Sequence, residues 1–179
     1  MKTIQSELER IQQFLKEKIR EENYRMVRDP DEGDEDAPLK LERPRVFIGN
    51  IPHTNFALYA SEPRFYKAPY LLVGYDTGTF HPDNEEIGIL IQGCTYTAAN
   101  YEDREEDDVD YPDNMGVLDI TQMLEHVMGW IRNMPNFPAG MEYEIGNYGT
   151  QAYTYPYNFG YLAFQLKTNV GATPRINFF

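Results

Sequence analysis

One amphipathic helix followed directly by two alternating strands constrains this chain more than any other feature. The helix is read in GVLDITQMLEHVMGWIRNMP, roughly from Leu118 to Asn133. There Ile120, Leu124, Val127 and Ile131 recur at three- and four-residue spacing, and Met123, Met128 and Trp130 widen the stripe. Asp119 is positioned to act as N-cap, with Gln122 completing a capping box and Leu118 and Met123 forming a hydrophobic staple. Pro135 ends the helix because it has no N–H to donate and its ring clashes with the preceding turn. In MEYEIGNY, Met141, Tyr143 and Ile145 alternate with Glu142 and Glu144. In GYLAFQLK, Leu162, Phe164 and Leu166 alternate with Tyr161, Ala163, Gln165 and Lys167. One buried and one wetter face per strand is the pattern of antiparallel pairing.

The upstream segments extend this sheet. VFIGNI (46 to 51) reads as a strand stopped by Pro52, and PYLLVGY (69 to 75) as a compact apolar strand closed by the turn-prone DTGTFHPDN. EIGILIQGCTYT (86 to 97) is the clearest strand, with Ile87, Ile89 and Ile91 on one face. HTNFALYASEPRFYK is irregular with a short helical turn, and ANYEDREEDDVDYPDNMG (99 to 116) is an acidic surface loop. At the N-terminus, Ile4, Leu8, Ile11, Leu15 and Ile19 stripe a helix over residues 3 to 22, with Glu7, Arg10, Gln13 and Lys16 on its other face. This narrow stripe can pack on its own domain or on a neighbouring subunit. The linker RDPDEGDEDAP (28 to 38) has nothing apolar to bury and reads as a solvated tether.

The expected fold is therefore α+β, a mostly antiparallel β-sheet with one main helix packed on it and an N-terminal helix on an acidic linker. The chain divides into a helical arm and linker (1–38), an α+β domain (39–170) and an extended C-terminal tail (171–179). No internal repeat is present.

Charge narrows the partners. A formal net charge of −13 over 179 residues argues against a nucleic-acid or anionic-membrane binder, which needs a basic face to displace counterions. An acidic balance keeps subunits soluble and apart until a strong contact forms. Tyrosine is abundant, at 14 residues against 1 Trp, and phenols suit surfaces that are wet alone and buried later. Cys94, the one cysteine, excludes an intrachain disulfide or a multi-thiolate zinc site, and its apolar run GILIQGCTY makes it a small buried residue. MKTIQSELERIQQ is charged from its start, unlike a signal peptide, and no apolar run approaches the ~20 residues that span a bilayer, so a soluble chain is expected.

Catalytic patterns are missing. His53, His81 and His126 are scattered with no paired-ligand spacing, and there is no glycine-rich phosphate loop or nucleophile elbow. Asp108, Asp110 and Asp113 fail as a calcium loop because Pro112 takes the third ligand position and no Gly follows it. No cofactor, metal site or catalytic residue is expected.

From about residue 110 to 168 the sequence resembles the tail terminator (tail completion) proteins of tailed bacteriophages. The resemblance rests on Asp119, Ile120, Met123, Leu124, Glu125 and Val127 of the helix and on Tyr155, Pro156, Tyr157 and Gly160 leading into the last strand. PYLLVGY and EIGILIQG add weaker support as preceding strands, while the N-terminal helix and its linker are additions to the pattern. The resemblance implies a virion subunit in the tail and neck region, made in the host cytoplasm. It implies a homo-oligomeric ring of six copies that caps the tail tube protein, ends tube or sheath polymerisation and docks to the head-completion (neck) protein. The tail sheath protein is a further partner in contractile tails, DNA is passing cargo only, and no membrane is involved. Other neck, connector or sheath-associated adaptor roles are the alternative, followed by a small acidic enzyme with paired carboxylates between sheet and helix.

Candidate subunit or partner contacts are Ile4, Leu8, Ile11 and Leu15 on the first helix, Tyr153, Tyr155 and Tyr157 before the last strand, and Phe178 and Phe179 at the tail. A negative lumen would repel DNA phosphates, with Asp107 and Asp108 as candidate channel-lining acids.

Overall fold

Period-two alternation of apolar side chains builds a five-stranded sheet, and two amphipathic helices cover one of its faces. The computed structural model describes residues 4–29, 38–49, 68–80, 84–97, 115–134, 141–151 and 157–169. Helix α1 (Ile4–Glu21) leads to a short hairpin of β1 (Met26–Val27) and β2 (Leu41–Glu42). Strands β3 (Arg45–Ile48), β4 (Tyr70–Phe80) and β5 (Asn84–Tyr96) follow, then helix α2 (Met115–Arg132), β6 (Met141–Gln151) and β7 (Tyr157–Asn169). The sheet order is β3-β4-β5-β7-β6, parallel between β3 and β4 and antiparallel elsewhere. This is an α+β fold with a mostly antiparallel sheet.

Strand parity decides which side chains meet the helices. Leu71 and Val73 of β4, Ile89 and Ile91 of β5, and Leu162 and Phe164 of β7 are all buried beneath them. Helix α2 places Ile120, Met123, Leu124, Val127 and Ile131 onto β5, β7 and β6, as its stripe predicts. Two glycines allow this close approach. A Cβ on Gly160 would stand 2.8 Å from both Ile120 Cγ1 and Leu124 Cδ1, and one on Gly93 would stand 2.5 Å from Met123 Cε.

The N-terminal helix is part of the same core, which corrects its reading as an arm. It packs on β3 and β4, with Leu8, Ile11, Phe14, Leu15 and Ile19 in the hydrophobic cluster that also holds the α2 stripe. Gln12 Nε2 donates to the Val46 carbonyl at 2.8 Å, tying α1 to β3 at the sheet edge. Glu7, expected on the wet face, is 4% exposed and lies 3.1 Å from Arg10. The helix ends at Asn23, which takes φ 50°, while the Tyr24 N–H bonds the Ile19 carbonyl and the Asn23 N–H bonds that of Arg20. That paired arrangement satisfies the last carbonyls, and asparagine tolerates the left-handed conformation it needs. Tyr24 then wedges between the helices, its ring 4.7 Å from that of His126 and 5.5 Å from that of Trp130. Trp130 Nε1 donates to Glu22 Oε1 at 2.7 Å.

Three local expectations change. Helix α2 begins at Met115, so Asp119 lies inside it and is not the N-cap. Its carboxylate instead accepts a 2.8 Å hydrogen bond from the Thr97 hydroxyl, and Thr97 in turn accepts from Asn158 Nδ2 at 3.1 Å. The staple fails for the same reason: Leu118 is 61% exposed while Met123 is buried. Strand β4 runs on through the turn-prone DTGTF to Phe80, because β5 supplies a partner along that whole length across an irregularity between Tyr75 and Gly78.

Candidate functional site

Among the described residues one group of exposed charge is cationic, against the chain's overall sign. An open cleft of ≈ 690 Å³ lies between α1 and the β2–β3 connection. Lys16 and Arg20 enter it from α1, Arg25 from the segment after α1, and Arg43 and Arg45 from the turn into β3. All five are exposed. Among the described residues Glu42 is the one carboxylate lining the cleft, and it is already engaged, 3.2 Å from Arg28 Nε and 3.3 Å from Arg45 Nη2. The floor is apolar, formed by Ile19, Val46 and Phe47.

Local backbone geometry assembles this group. The left-handed turn at Asn23 that ends α1 also presents the Asn23 amide oxygen, which accepts from Arg25 Nε at 3.1 Å and from Arg43 Nη2 at 2.9 Å. Two guanidiniums are thus held at one neutral acceptor. Among the described residues neither pairs with a carboxylate, and Lys16 and Arg20 have no ion-pair partner there either. A surface of this kind recognises carboxylates or phosphates, because the guanidinium fork matches both in plane and spacing.

A second cluster sits on the sheet face away from the helices. Tyr70, Cys94 and Ala68 are buried there, flanked by the partly buried Phe47, Leu72, Tyr96, Tyr157 and Phe159. The Tyr157 hydroxyl donates to Asp29 Oδ2 at 2.7 Å, and its ring meets that of Tyr96 edge-on at 5.8 Å. Burial pushes the Cys94 thiol up to about 12, with the Asp29 charge adding to the rise. Cys94 therefore stays a thiol near neutral pH. Burial likewise raises the Tyr70 and Tyr157 phenols. Between the sheet and α2, where paired carboxylates would have to sit, Gly93 and Gly160 bring the backbone against Ile120, Met123 and Leu124 and leave no cavity at those positions.

The contact residues read from sequence fare differently. Leu8, Ile11 and Leu15 are at most 6% exposed within the chain's own core, which corrects their reading as partner contacts. The helix stripe could serve either use, and the apolar faces of β3 and β4 claim it. Tyr157 is half-buried, and its hydroxyl is committed to Asp29. The Ile4 side chain, Tyr153, Tyr155, Phe178, Phe179, Asp107, Asp108, His53 and His81 lie outside the described residues. Exposed apolar groups instead occur at Leu39, Leu41, Tyr75, Val117 and Leu118. The cationic cleft was missed because its members come from residues 16 to 45, split by the acidic linker, and net charge conceals a local cluster of opposite sign. The alternation of Arg43 and Arg45 about Pro44 was the available signal.

The chain matches no protein-family model and no curated protein.

Proposed function

We propose that this chain is a structural subunit of a tailed-bacteriophage virion, one that closes into a six-membered ring on the end of the tail tube. The ring ends tube or sheath polymerisation and presents its other side to the head-side neck. The mechanism is binding: one face complements the last ring of the tube and the opposite face does not, so growth stops there.

One observation carries the reading beyond the resemblance of residues 110 to 168. Both helices lie on the same face of the sheet, so among the described residues no helix packs on the aromatic face that bears Phe47, Leu72, Tyr96, Tyr157 and Phe159. Leu39, Leu41 and Tyr75 stand in solvent at 58%, 58% and 62% exposure, and Leu118 at 61%. A protein with such faces is suited to assembly, since aromatic and aliphatic groups at a contact supply most of its stabilisation. The buried Cys94 thiol and the close packing of α2 at Gly93 and Gly160 are compatible with a binding role.

Negative-stain electron microscopy of the purified protein over a range of concentrations tests this. Six-fold rings with an open channel, together with antibody labelling at the head–tail joint of the particle, are the expected result. Labelling at a different point of the virion would reassign the chain to another connector or sheath adaptor. A monomer that also fails to bind isolated tail tubes would sink the reading.

A further inference from the structure

Three residue steps carry the chain from one face of the sheet to the other. Met26 of β1 lies in the cluster between sheet and helices, whereas Asp29 bonds Tyr157 on the opposite, aromatic face. A step of about 10 Å at most makes this crossing, so it must pass one end of the sheet. Register fixes which end. Tyr70 at the start of β4 stands opposite Cys94 of β5, and Tyr96 at the end of β5 stands opposite Tyr157 at the start of β7. Asp29 is fastened there twice: its N–H donates to the Ala68 carbonyl just ahead of β4 at 3.1 Å, and its carboxylate accepts from the Tyr157 hydroxyl at 2.7 Å. A carboxylate only 9% exposed needs such a donor, because burial without one is costly. Ala68, Tyr70 and Cys94 lie beside it at 1%, 7% and 1% exposure, with Tyr157 packed against them. The Asp29 charge adds to the rise of the Cys94 thiol, which places the carboxylate close to that sulfur.

We infer that residues 26–29 form a strap latched by the Asp29–Tyr157 bond, and that this latch opens locally to uncover Tyr70 and Cys94 while the core of sheet and helices stays folded. The strap belongs to the smallest elements of the fold. Strands β1 and β2 have two residues each and form a sheet of their own, apart from the five-stranded one. The Arg28 N–H donates to the Lys40 carbonyl at 2.8 Å and the Arg28 guanidinium lies 3.2 Å from Glu42, which ties the strap to the β2 side. At Asp29 the hold on the sheet is by hydrogen bonds, not by apolar burial. Segments held in this way open at a fraction of the free energy of global unfolding. Closed, the latch withholds Tyr70 and Cys94. Open, it adds them to the aromatic face of Leu72, Tyr96 and Phe159. The inference concerns the single chain and does not depend on the ring reading.

Cys94 is the one cysteine of the chain, so its modification reports the latch directly. The full chain, kept dilute, is treated with an aromatic disulfide reagent that releases a coloured thiolate as Cys94 reacts. Rates are compared for wild type, Tyr157→Phe, Asp29→Ala, the double variant and Leu15→Ala. Tyr157→Phe removes a donor to a buried charged acceptor and is expected to speed labelling about tenfold or more. Asp29→Ala should do the same, and the double variant should react little faster than either, because both act through one bond. Leu15→Ala weakens the core but not the strap, and should label within about twofold of wild type. In wild type the rate should depend on urea far less than global unfolding followed by Trp130 fluorescence. That last comparison decides the matter alone if the strap variants fail to fold. Labelling that rises with urea as steeply as global unfolding, or that speeds up as much in Leu15→Ala as in Tyr157→Phe, would overturn the inference, since Cys94 then reacts only through the unfolded chain. Wild type that labels as fast as the urea-unfolded chain would overturn it too, as would a folded Tyr157→Phe that reacts no faster than wild type.

Discussion

Leu15 decides whether α1 is core or contact surface, and Leu15→Ala measures it. The side chain is 0% exposed and packed within the main cluster of both helices and the sheet. Truncation removes Cγ and both Cδ carbons, worth about 2.4 kcal/mol at ~0.8 kcal/mol per buried carbon. The cavity left behind raises the cost toward about 3–5 kcal/mol, since a site walled by α1, β3 and β4 collapses only partly. For a chain of this size each kcal/mol lowers the melting temperature by ~2–4 °C, so a fall of roughly 6–20 °C is expected. Trp130, the one tryptophan and 6% exposed, reports unfolding by fluorescence. Leu118→Ala on the exposed side of α2 is the control and should stay within about 0.5 kcal/mol of wild type. Urea denaturation at several dilute protein concentrations separates the two possibilities. A core residue loses the same stability at every concentration, whereas an interface residue shows its cost only where copies associate. If Leu15→Ala behaved like Leu118→Ala in dilute solution, the placement of α1 in the core would be refuted.

Two glycines with opposite surroundings should respond to alanine with opposite signs. Gly160→Ala drives a methyl to 2.8 Å from Ile120 and Leu124 and should cost about 1–3 kcal/mol, while Gly129→Ala meets nothing within 4 Å in mid-helix and should gain up to about 1 kcal/mol. Thermal melts showing the same sign for both would contradict the packing of α2 on β7. The buried Thr95 hydroxyl has no hydrogen-bond partner among the described residues, so Thr95→Val should leave stability unchanged or raise it by about 1 kcal/mol, and a loss larger than that in urea denaturation would reveal a partner. Burial raises Cys94 from 9.0 to about 12, and burial with a contribution from Asp119 raises Tyr24 from 10.0 to about 12. The native state therefore holds protons that the unfolded chain releases, and stability should fall as pH rises from about 9 toward 12. Urea midpoints measured across that range should decline, with a shallower decline in Cys94→Ala, and a flat profile would count against the burial of both groups.

Periodicity made most of the secondary structure legible. Ile120, Leu124, Val127 and Ile131 recur at helical spacing and are all buried, and Leu162 and Phe164 alternate and are buried in turn. The errors arose where tertiary partners overrode local signals. Asp119 has N-cap chemistry, yet the helix starts four residues earlier, and the carboxylate is taken by Thr97 across the gap to β5. The DTGTF segment has turn composition, yet pairing along β5 keeps it extended. Glu7 looks like a solvent residue by charge, but Arg10 lies beside it under partial cover. No pattern within one segment reports a neighbour distant in sequence, and each of these residues is governed by one.

The cleft shows the same limit at the level of function. Lys16, Arg20, Arg25, Arg43 and Arg45 are unremarkable singly, and a net charge of −13 argues against any anion-binding role. That argument holds for the averaged field felt at long range, which keeps copies and nucleic acid apart. It fails within about a Debye length of ~8 Å, where local groups dominate. Asn23 supplies the missing link, because one left-handed residue both ends α1 and gathers Arg25 and Arg43 at a single oxygen. Charge segregation of this kind does little for monomer stability, since exposed ion pairs contribute at most about 1 kcal/mol.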